Sequence, residues 1–183
     1  MLDTASIEAG KLKLTDETVD LAEVVRQSLA PLRLLSEQKR ITVHSAVANA
    51  PAVRADPLRL NQVLINLLSN ALKFTPAGGH IYIETARAGD GGVICSVRDT
   101  GIGMSRGQAI AALEPFVQLD GDLAKAHQGT GQGLPLAKRL IELHGGSLTI
   151  QSAPGKGTTT VIRLPAHRTI VATPVRATLA AAK

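Results

Sequence analysis

Asp99-Thr-Gly-Ile-Gly-Met104 is the stretch that says most about this chain. It follows a run of alternating apolar residues, so the acid stands at the end of a predicted strand and the glycines open a turn. A second stretch, Gly129-Thr-Gly-Gln-Gly-Leu134, lies downstream and precedes a predicted helix. Sixteen of the 17 glycines fall between Gly78 and Gly157, so backbone freedom is concentrated around these two turns.

Together, the two glycine-rich stretches predict an adenine-nucleotide site. A carboxylate such as Asp99 can accept a hydrogen bond from an exocyclic amine, and Gly101 and Gly103 allow backbone to approach a flat ring. The second stretch offers backbone N–H groups to phosphates at the start of a helix. Each motif is weak alone, because both kinds of turn have ordinary structural uses. Their presence in one chain points to ATP.

The helix predicted from Leu58 to about Phe74 adds a third feature. Its leucine-rich stripe forms the buried side, whereas Asn66, Asn70 and Lys73 share another face at i, i+4 and i+7. Amide oxygens can coordinate a hard cation, and a lysine can neutralise phosphate charge. Alone, such residues usually form an ordinary polar helix face. With the two glycine-rich stretches downstream, they predict Mg²⁺ bound with a triphosphate.

Composition excludes several other classes of protein. The 183 residues are 44% hydrophobic, enough for the core of one domain, and a single cysteine, Cys95, rules out an internal disulfide and fits a reducing compartment. The net charge of +5 is diffuse and only three residues are aromatic, so no nucleic-acid partner is expected. No apolar run is long enough to span a membrane, so no membrane contact by this chain is expected either.

The histidines receive no role from the sequence. His44, His80, His144 and His167 have no metal-ligand spacing and no nearby cysteine pair, so none of them is assigned a metal. His127 lies in the stretch between the two glycine-rich turns, where a solvated loop side chain is the favoured interpretation.

Periodicity and turn residues predict the remaining elements. The predicted helices cover residues 20 to about 39 (distorted at Pro31), 58 to about 74, and 133–144. The predicted strands cover residues 11–15, 41–47, 80–87, 92–98, 147–152 and 158–164. Residues 48–56 are expected to form a connecting loop and 104–128 a lid, and little fixed structure is expected after Pro165.

The motifs resemble the ATP-binding catalytic domain of sensor histidine kinases, in the GHKL ATPase superfamily, over about residues 5–165. The segments that carry the resemblance are similar to the N box (Asn66–Thr75), the G1 box (Asp99–Gly103), the F box (Glu114-Pro-Phe116), the G2 box (Gly129–Gly133) and the G3 turn (Gly155–Thr158). Five boxes in the family's order make a specific match. Residues 2–11 resemble the end of the dimerisation helix that precedes this domain in such kinases.

The resemblance implies an α+β fold, a two-layer α/β sandwich of the Bergerat type. A mixed, mainly antiparallel sheet would pack on three helices, with ATP held between the helices and a mobile lid. The implied division is a remnant of the dimerisation helix and linker (1–15), the ATP-binding catalytic domain (16–165) and a flexible C-terminal tail (166–183).

The resemblance also implies roles for individual residues. Asn70 would bind Mg²⁺ and Asp99 the adenine amine, while Asn66, Lys73 and the amides of Gly129–Gly133 would contact phosphates. The full candidate nucleotide-binding set is Asn66, Asn70, Lys73, Phe74, Asp99, Gly101, Gly103, Gly129, Thr130, Gly131, Gly133, Leu134 and Thr158.

The implied function is a protein-histidine kinase module of two-component signalling. It would bind Mg-ATP and donate the γ-phosphate to a histidine on a separate dimerisation and phosphoacceptor domain of the same kinase, which this sequence lacks. No autophosphorylation is therefore expected of the isolated chain, which should bind ATP or ADP as a cytoplasmic monomer. A response regulator would be an indirect partner, and the full-length kinase would be a homodimer, either free in the cytoplasm or membrane-anchored.

Three alternatives stay open at this point. An ATP-hydrolysing conformational switch, as in gyrase-like and MutL-like relatives, would need a glutamate four residues before the metal-binding asparagine, where this chain has Asn66. A serine kinase acting on anti-sigma partners shares the boxes, although the lead-in segment argues against it. A degenerate nucleotide sensor is kept open by Gln118 and Gln132, which replace an arginine and a leucine common in relatives.

Overall fold

The computed structural model describes residues 12–47, 50–115, 117 and 131–170. The helices are α1 (Leu21–Leu29), α2 (Arg33–Gln38), α3 (Pro57–Phe74), α4 (Arg106–Ala111) and α5 (Gly133–Leu143), with 3-10 turns at Ala30–Leu32 and Ala166–Arg168. The strands are β1 (Glu17–Val19), β2 (Thr42–Ala46), β3 (Ala52–Ala55), β4 (His80–Arg87), β5 (Val93–Asp99), β6 (Ser147–Ser152), β7 (Thr158–Leu164) and β8 (Thr169–Ile170).

The main sheet has five strands in the order β2-β4-β5-β7-β6. β2 runs parallel to β4, and every other neighbouring pair in this sheet is antiparallel. The predicted α+β class, with a mixed but mainly antiparallel sheet, is therefore confirmed. A second sheet, which the sequence did not predict, joins β1, β3 and β8 in antiparallel order.

The core lies between one face of the main sheet and the three longer helices, α1, α3 and α5. Alternate residues of β4, β5 and β7 point into it, as the period of two in a strand requires. Cys95 is one of them, and burial raises the pKa of its thiol to about 12, as expected of an unreactive core residue. From the helices, α3 contributes seven buried side chains: Leu60, Val63, Leu64, Leu67, Leu68, Ala71 and Leu72.

Pro31 changes the course of the helix that the sequence predicts from Asp20 onward. The Asp20 carboxylate caps α1 by accepting a hydrogen bond from Ala22 N at 2.8 Å. The chain then makes one 3-10 turn at the proline before α2 begins. Because a 3-10 turn has three residues per turn rather than 3.6, the apolar face of α1 is not continued in phase by α2, and Leu35 is 38% exposed.

The small sheet corrects three sequence predictions. The sequence predicts a strand at residues 11–15, but residues 12–15 form no strand, and β1 begins at Glu17 instead. The predicted loop 48–56 contains β3, whose Val53 and Ala55 are fully buried. The expectation of little fixed structure after Pro165 is wrong for residues 166–170, since β8 pairs with β3. Strands of two to four residues are too short to show a period, so only tertiary pairing reveals them.

The predicted lid also contains regular structure at its beginning. Ser105 caps α4 through a capping box, in which its hydroxyl accepts from Gln108 N and the Gln108 side chain accepts from Ser105 N. This Ser-x-x-Gln pattern is a signal that the sequence offered. Phe116 and residues 118–128 of the predicted lid, including Gln118 and His127, lie outside the described residues.

His144 joins the end of α5 to the start of α3. The ring is fully buried, and its Nε2 accepts a hydrogen bond from Asp56 N at 3.1 Å. Its Nδ1 must then carry the proton that is donated to Leu140 O at 2.7 Å. Asp56 in turn caps α3 by accepting from Arg59 N, and accepts from Thr15 N through its second oxygen. The neutral imidazole thus links residues 88 positions apart.

This link predicts a loss of stability in mild acid. Burial, the largest effect, lowers the pKa of His144 below its ordinary value of 6.5. The unfolded chain therefore takes up a proton more readily, so stability is complete above about pH 6.5 and falls as the pH drops from there toward the folded pKa. Urea unfolding between pH 7.5 and 5 should show this fall.

The variant His144→Gln separates this effect from other titrations. It should unfold more easily by about 1–3 kcal/mol at pH 7.5, because buried hydrogen bonds are impaired, but its stability should change less between pH 7.5 and 5. His167→Gln, at an exposed histidine, should keep the pH dependence of the parent chain. An unaltered pH dependence in His144→Gln would contradict the assignment.

Candidate nucleotide site

One end of the site lies where α3 faces the start of α5. A Cβ added at Gly133 would lie 3.8 Å from Asn66 Oδ1 and 3.8 Å from Asn70 Nδ2, so the start of α5 lies directly beside these two side-chain amides. Asn66 Nδ2 is buried and has no hydrogen-bond partner in the described part of the chain. Because buried donors are nearly always satisfied, this amide marks a place for water or a polar ligand.

The start of α5 presents backbone donors at this same end. Gln132 precedes the helix without a side-chain cap, and the N–H groups of a helical first turn have no acceptor within the helix. Gly131 has a φ of +66°, which suits glycine and which other residues adopt rarely. Leu134 packs against the hydrophobic core and fixes the position of the turn. This geometry suits an anion.

The other end of the site is formed by the last turn of α3. Lys73 Nζ lies 4.9 Å from the centre of the Phe74 ring, and burial lowers the pKa of this lysine. Lys39, which the sequence analysis missed, caps the helix by donating to Leu72 O at 2.6 Å and to Lys73 O at 3.0 Å. No local signal could have identified Lys39, because its acceptors lie more than 30 residues away.

Asp99 is the buried carboxylate at this end. The residue is 8% exposed, and its Oδ1 accepts from Gly101 N at 2.8 Å and from Thr158 N at 3.2 Å. Burial raises the pKa of Asp99, and these two hydrogen bonds offset part of that effect. No described residue donates to Oδ2. The second oxygen is therefore free to accept from a ligand.

Close backbone contact joins the Asp99 turn to α3. A Cβ at Gly101 would lie 2.5 Å from Phe74 O and 2.7 Å from Asp99 Oδ1, so the position accepts glycine alone without rearrangement. The neighbouring Ile102 N donates to Phe74 O at 3.2 Å. The end of α3 and the Asp99 turn are thus built as one unit.

The turn between β6 and β7 closes this end from the other side. Gly103 and Gly157 both have positive φ, and a Cβ on either would lie 1.9 Å from a carbonyl oxygen, of Ala153 and Asp99 respectively. Ser152 was missed by the sequence analysis. Its hydroxyl accepts from Met104 N at 2.8 Å and lies 2.9 Å from both Gly157 O and Thr158 Oγ1.

The structure thus brings most of the predicted residues together in two groups, one near Asn66 and Asn70 and one near Phe74. The distance along α3 from Asn66 to Phe74 is about 12 Å, with the α5 turn at one end and the Asp99 turn at the other. Gly129 and Thr130 lie outside the described residues. Among residues that are described, no group of three or more His, Cys, Asp or Glu side chains could hold a metal ion. Asn70 offers one hard oxygen, which fits Mg²⁺ because this ion usually keeps water and phosphate ligands.

Residues 55–168 match the family described as histidine kinase-, DNA gyrase B-, and HSP90-like ATPases. The chain belongs to this family. The resemblance inferred from the five boxes is therefore confirmed at the level of the family. In the described parts of the chain, no helix is both long and apolar enough to cross a membrane.

Curated relatives include the cell-division control histidine kinase PdhS of Brucella canis, 37% identical over 179 residues. The match covers 93% of this chain but 17% of the relative, so the chain spans about a sixth of the length of the curated relatives it matches. The same protein of Brucella anthropi is 36% identical over the same share of each chain.

Solved structures agree on the fold. Full-length ShkA in complex with AMPPNP matches with a TM-score of 0.81 and 29% identity, over 96% of this chain and 36% of that chain. The mycobacterial sensor histidine kinase MprB matches with a TM-score of 0.70 and 26% identity, over 85% of this chain and 100% of that chain. The catalytic domain of histidine kinase ThkA matches with a TM-score of 0.70 and 25% identity, over 84% of this chain and 96% of that chain.

The contact at Gly101 gives a prediction about the assembly of the site. Gly101→Ala should lower the free energy of unfolding by about 1–3 kcal/mol, because the methyl group forces the Asp99 turn away from Phe74 O. Gly107→Ala is the matched control, since its Cβ would meet nothing within 4 Å and alanine favours the helix by up to about 1 kcal/mol. Urea unfolding measures both. Equal stability of the two variants would show that the turn does not rest on α3.

Proposed function

We propose that this chain is the ATP-binding catalytic module of a sensor histidine kinase, which holds Mg-ATP and presents its γ-phosphate to a histidine on another domain. The observation that carries the proposal is the arrangement along α3. An acceptor for a base lies at one end of the helix, and donors for phosphates lie at the other. The family membership and the histidine kinases among its relatives support the same conclusion.

The adenine end would be read by hydrogen bonding. Asp99 Oδ2 would accept from the exocyclic amine, while Oδ1 stays engaged with the backbone. Phe74 would line the base pocket, and Gly101 and Gly103 let the Asp99 turn pack closely on α3 and on the β6–β7 turn beside that pocket. The carboxylate can accept a hydrogen bond from the amine of adenine. A base with a carbonyl group at that position would place a second acceptor against the carboxylate, and no hydrogen bond would form.

The phosphate end would be held by neutral donors. Asn66 and the start of α5 would donate to phosphate oxygens, and Asn70 would contribute an oxygen to Mg²⁺. Lys73 lies beside Phe74 at the other end of α3, and its flexible side chain would turn toward the phosphates to offset part of their negative charge. The bound Mg²⁺ would supply charge neutralisation between phosphates. Gly129, Thr130 and Gly131 would extend the cradle, as the glycine pattern predicts.

Asn66 favours transfer over hydrolysis. An amide cannot act as a general base, so this residue cannot activate a water molecule for attack on the γ-phosphate. Its buried amide faces the start of α5, where it can donate a hydrogen bond to a phosphate without promoting the hydrolysis of ATP. The cytoplasmic location, the response regulator and the homodimeric full-length kinase stay predictions of the resemblance.

The adenine assignment predicts the effect of Asp99→Asn. The asparagine amide keeps an Oδ1 that can accept from Gly101 N and Thr158 N, but it replaces Oδ2 by an NH₂ group. This group cannot accept a hydrogen bond from the adenine amine, so ATP affinity should fall at least about tenfold. The free energy of unfolding at pH 7 should not fall, because burial disfavours the charged carboxylate. Calorimetry with ATP, GTP and inorganic triphosphate tests this.

The ligand series separates the two ends of the site. Triphosphate affinity should be unchanged in Asp99→Asn, and the preference for ATP over GTP should shrink, because the amide can donate to the guanine carbonyl. Equal ATP affinity in the parent chain and the variant would remove Asp99 from the adenine pocket.

The kinase assignment predicts binding without turnover. The isolated chain should bind Mg-ATP, release phosphate slowly and take up no label from γ-labelled ATP. A longer chain that includes the upstream dimerisation region with its histidine should become labelled in an acid-labile form, because positioning the acceptor supplies much of the catalysis. Asn70→Ala in that longer chain should abolish labelling.

Two measurements decide between the kinase and its alternatives. ATP affinity of Asn70→Ala should be nearly the same with and without Mg²⁺, whereas the parent chain should bind more tightly with the ion. Rapid phosphate release from the isolated chain, lost in Asn66→Ala, would favour the hydrolytic switch. Tight ATP binding with no labelling of the longer chain would favour the degenerate sensor.

A further inference from the structure

Two histidines that lie 36 residues apart in the sequence meet on the outer face of the main sheet. His44 is on β2 and His80 on β4, and His44 Nε2 lies 3.3 Å from His80 Nδ1. The parallel register pairs Thr42 with His80 and His44 with Tyr82, so the two histidines are diagonal neighbours on one face. Both side chains are accessible from solvent.

Neighbouring groups restrict both residues. The His44 ring stacks on Tyr82, with ring centres 4.7 Å apart and planes within 10° of parallel. On the far side of Tyr82, the Arg98 guanidinium lies 4.3 Å from the same ring. The backbone of His80 is fixed by Thr100, whose hydroxyl accepts from His80 N at 2.9 Å. Two imidazoles are thus presented side by side on rigid strands.

The separation of the two nitrogens matches the edge of a coordination tetrahedron. With a zinc–nitrogen bond of about 2.05 Å, two ligands at the tetrahedral angle lie about 3.3 Å apart, whereas ligands at 90° lie about 2.9 Å apart. The ring centres are 5.5 Å apart, close to the roughly 5.2 Å expected when both nitrogens point at one ion. A small rotation of exposed rings covers this difference.

We propose that His44 and His80 form a surface site for a divalent transition metal, with Zn²⁺ as the ion that fits best. Imidazole nitrogen is a preferred ligand of zinc, copper and nickel, and a poor one for magnesium or calcium. The described residues supply no third His, Cys, Asp or Glu ligand, so water completes the coordination. The site is distinct from Asn70, which lies on the helical side of the sheet.

This site also explains why sequence patterns assigned the histidines no metal. Metal-ligand spacing within one segment is a local signal, whereas this pair arises from strand pairing between β2 and β4. Protons compete with a metal for imidazole nitrogen, so the affinity should fall in acid.

The test uses the full 183-residue chain without a purification tag, titrated with ZnCl₂ in a weakly coordinating buffer at pH 7.5. Calorimetry should show one equivalent bound. His44→Phe, which keeps an aromatic ring on Tyr82 but removes the ligand, and His80→Asn should each weaken binding at least about tenfold, since loss of an outer-shell partner alone costs that much. His167→Gln and Asp99→Asn should bind zinc like the parent chain.

A spectroscopic measurement on the parent chain keeps the test independent of folding in the variants. Zinc should shift the ¹⁵N resonances of the His44 and His80 rings and leave those of His144 in place. Unchanged zinc affinity in both His44→Phe and His80→Asn, or unshifted His44 and His80 resonances at saturating zinc, would overturn the proposal. Neither outcome depends on nucleotide, so failure here leaves the kinase assignment untouched.

Discussion

The close crossing of two turns is the constraint on which the site depends. The turn after β5 and the turn between β6 and β7 approach until Gly103 and Gly157 each leave no space for a side chain. The crossing brings Thr158 N to Asp99 Oδ1, while Gly101, in the same turn, rests on Phe74 O. A buried carboxylate is costly unless it accepts hydrogen bonds, and here backbone donors supply them. The position of Asp99 therefore follows from backbone geometry rather than from side-chain packing.

α3 is held at both ends by residues far away in the chain. At its beginning, Asp56 caps the helix and donates its own N–H to His144 at the end of α5. At its end, Lys39 donates to Leu72 O and Lys73 O, which belong to the negative end of the helix dipole. The leucine-rich face anchors the helix in the core between these ends. These contacts fix both the position of α3 along its axis and its rotation about that axis, so the face with Asn66 and Asn70 is in place before any ligand binds.

Much of this arrangement could be predicted from the sequence, since the signals were local. Periodicity placed α3 and the strands β4, β5, β6 and β7, and the glycine-rich stretches marked the turns that follow β5 and precede α5. The failures were non-local or too short: β3 has four residues and β8 two, and their identity depends on pairing with each other. Lys39, Ser152 and His144 act through partners that only the fold brings near. The Ser105 capping box is different, because that signal was present and was overlooked.

The electrostatics of the candidate nucleotide site explain why its adenine end and its phosphate end carry different groups. Burial raises the pKa of Asp99 and lowers that of Lys73, so each charged form is disfavoured by its surroundings. An amine donor beside Asp99 and phosphate charge within reach of Lys73 would relieve both penalties, whereas phosphate charge placed against Asp99 would add to the first of them. Asn66 and Asn70, between the two turns, carry no charge and add no competing field. Orientation of the ligand would therefore be set by the Asp99 carboxylate at the adenine end, which repels phosphate, and by the neutral donors along the phosphate path.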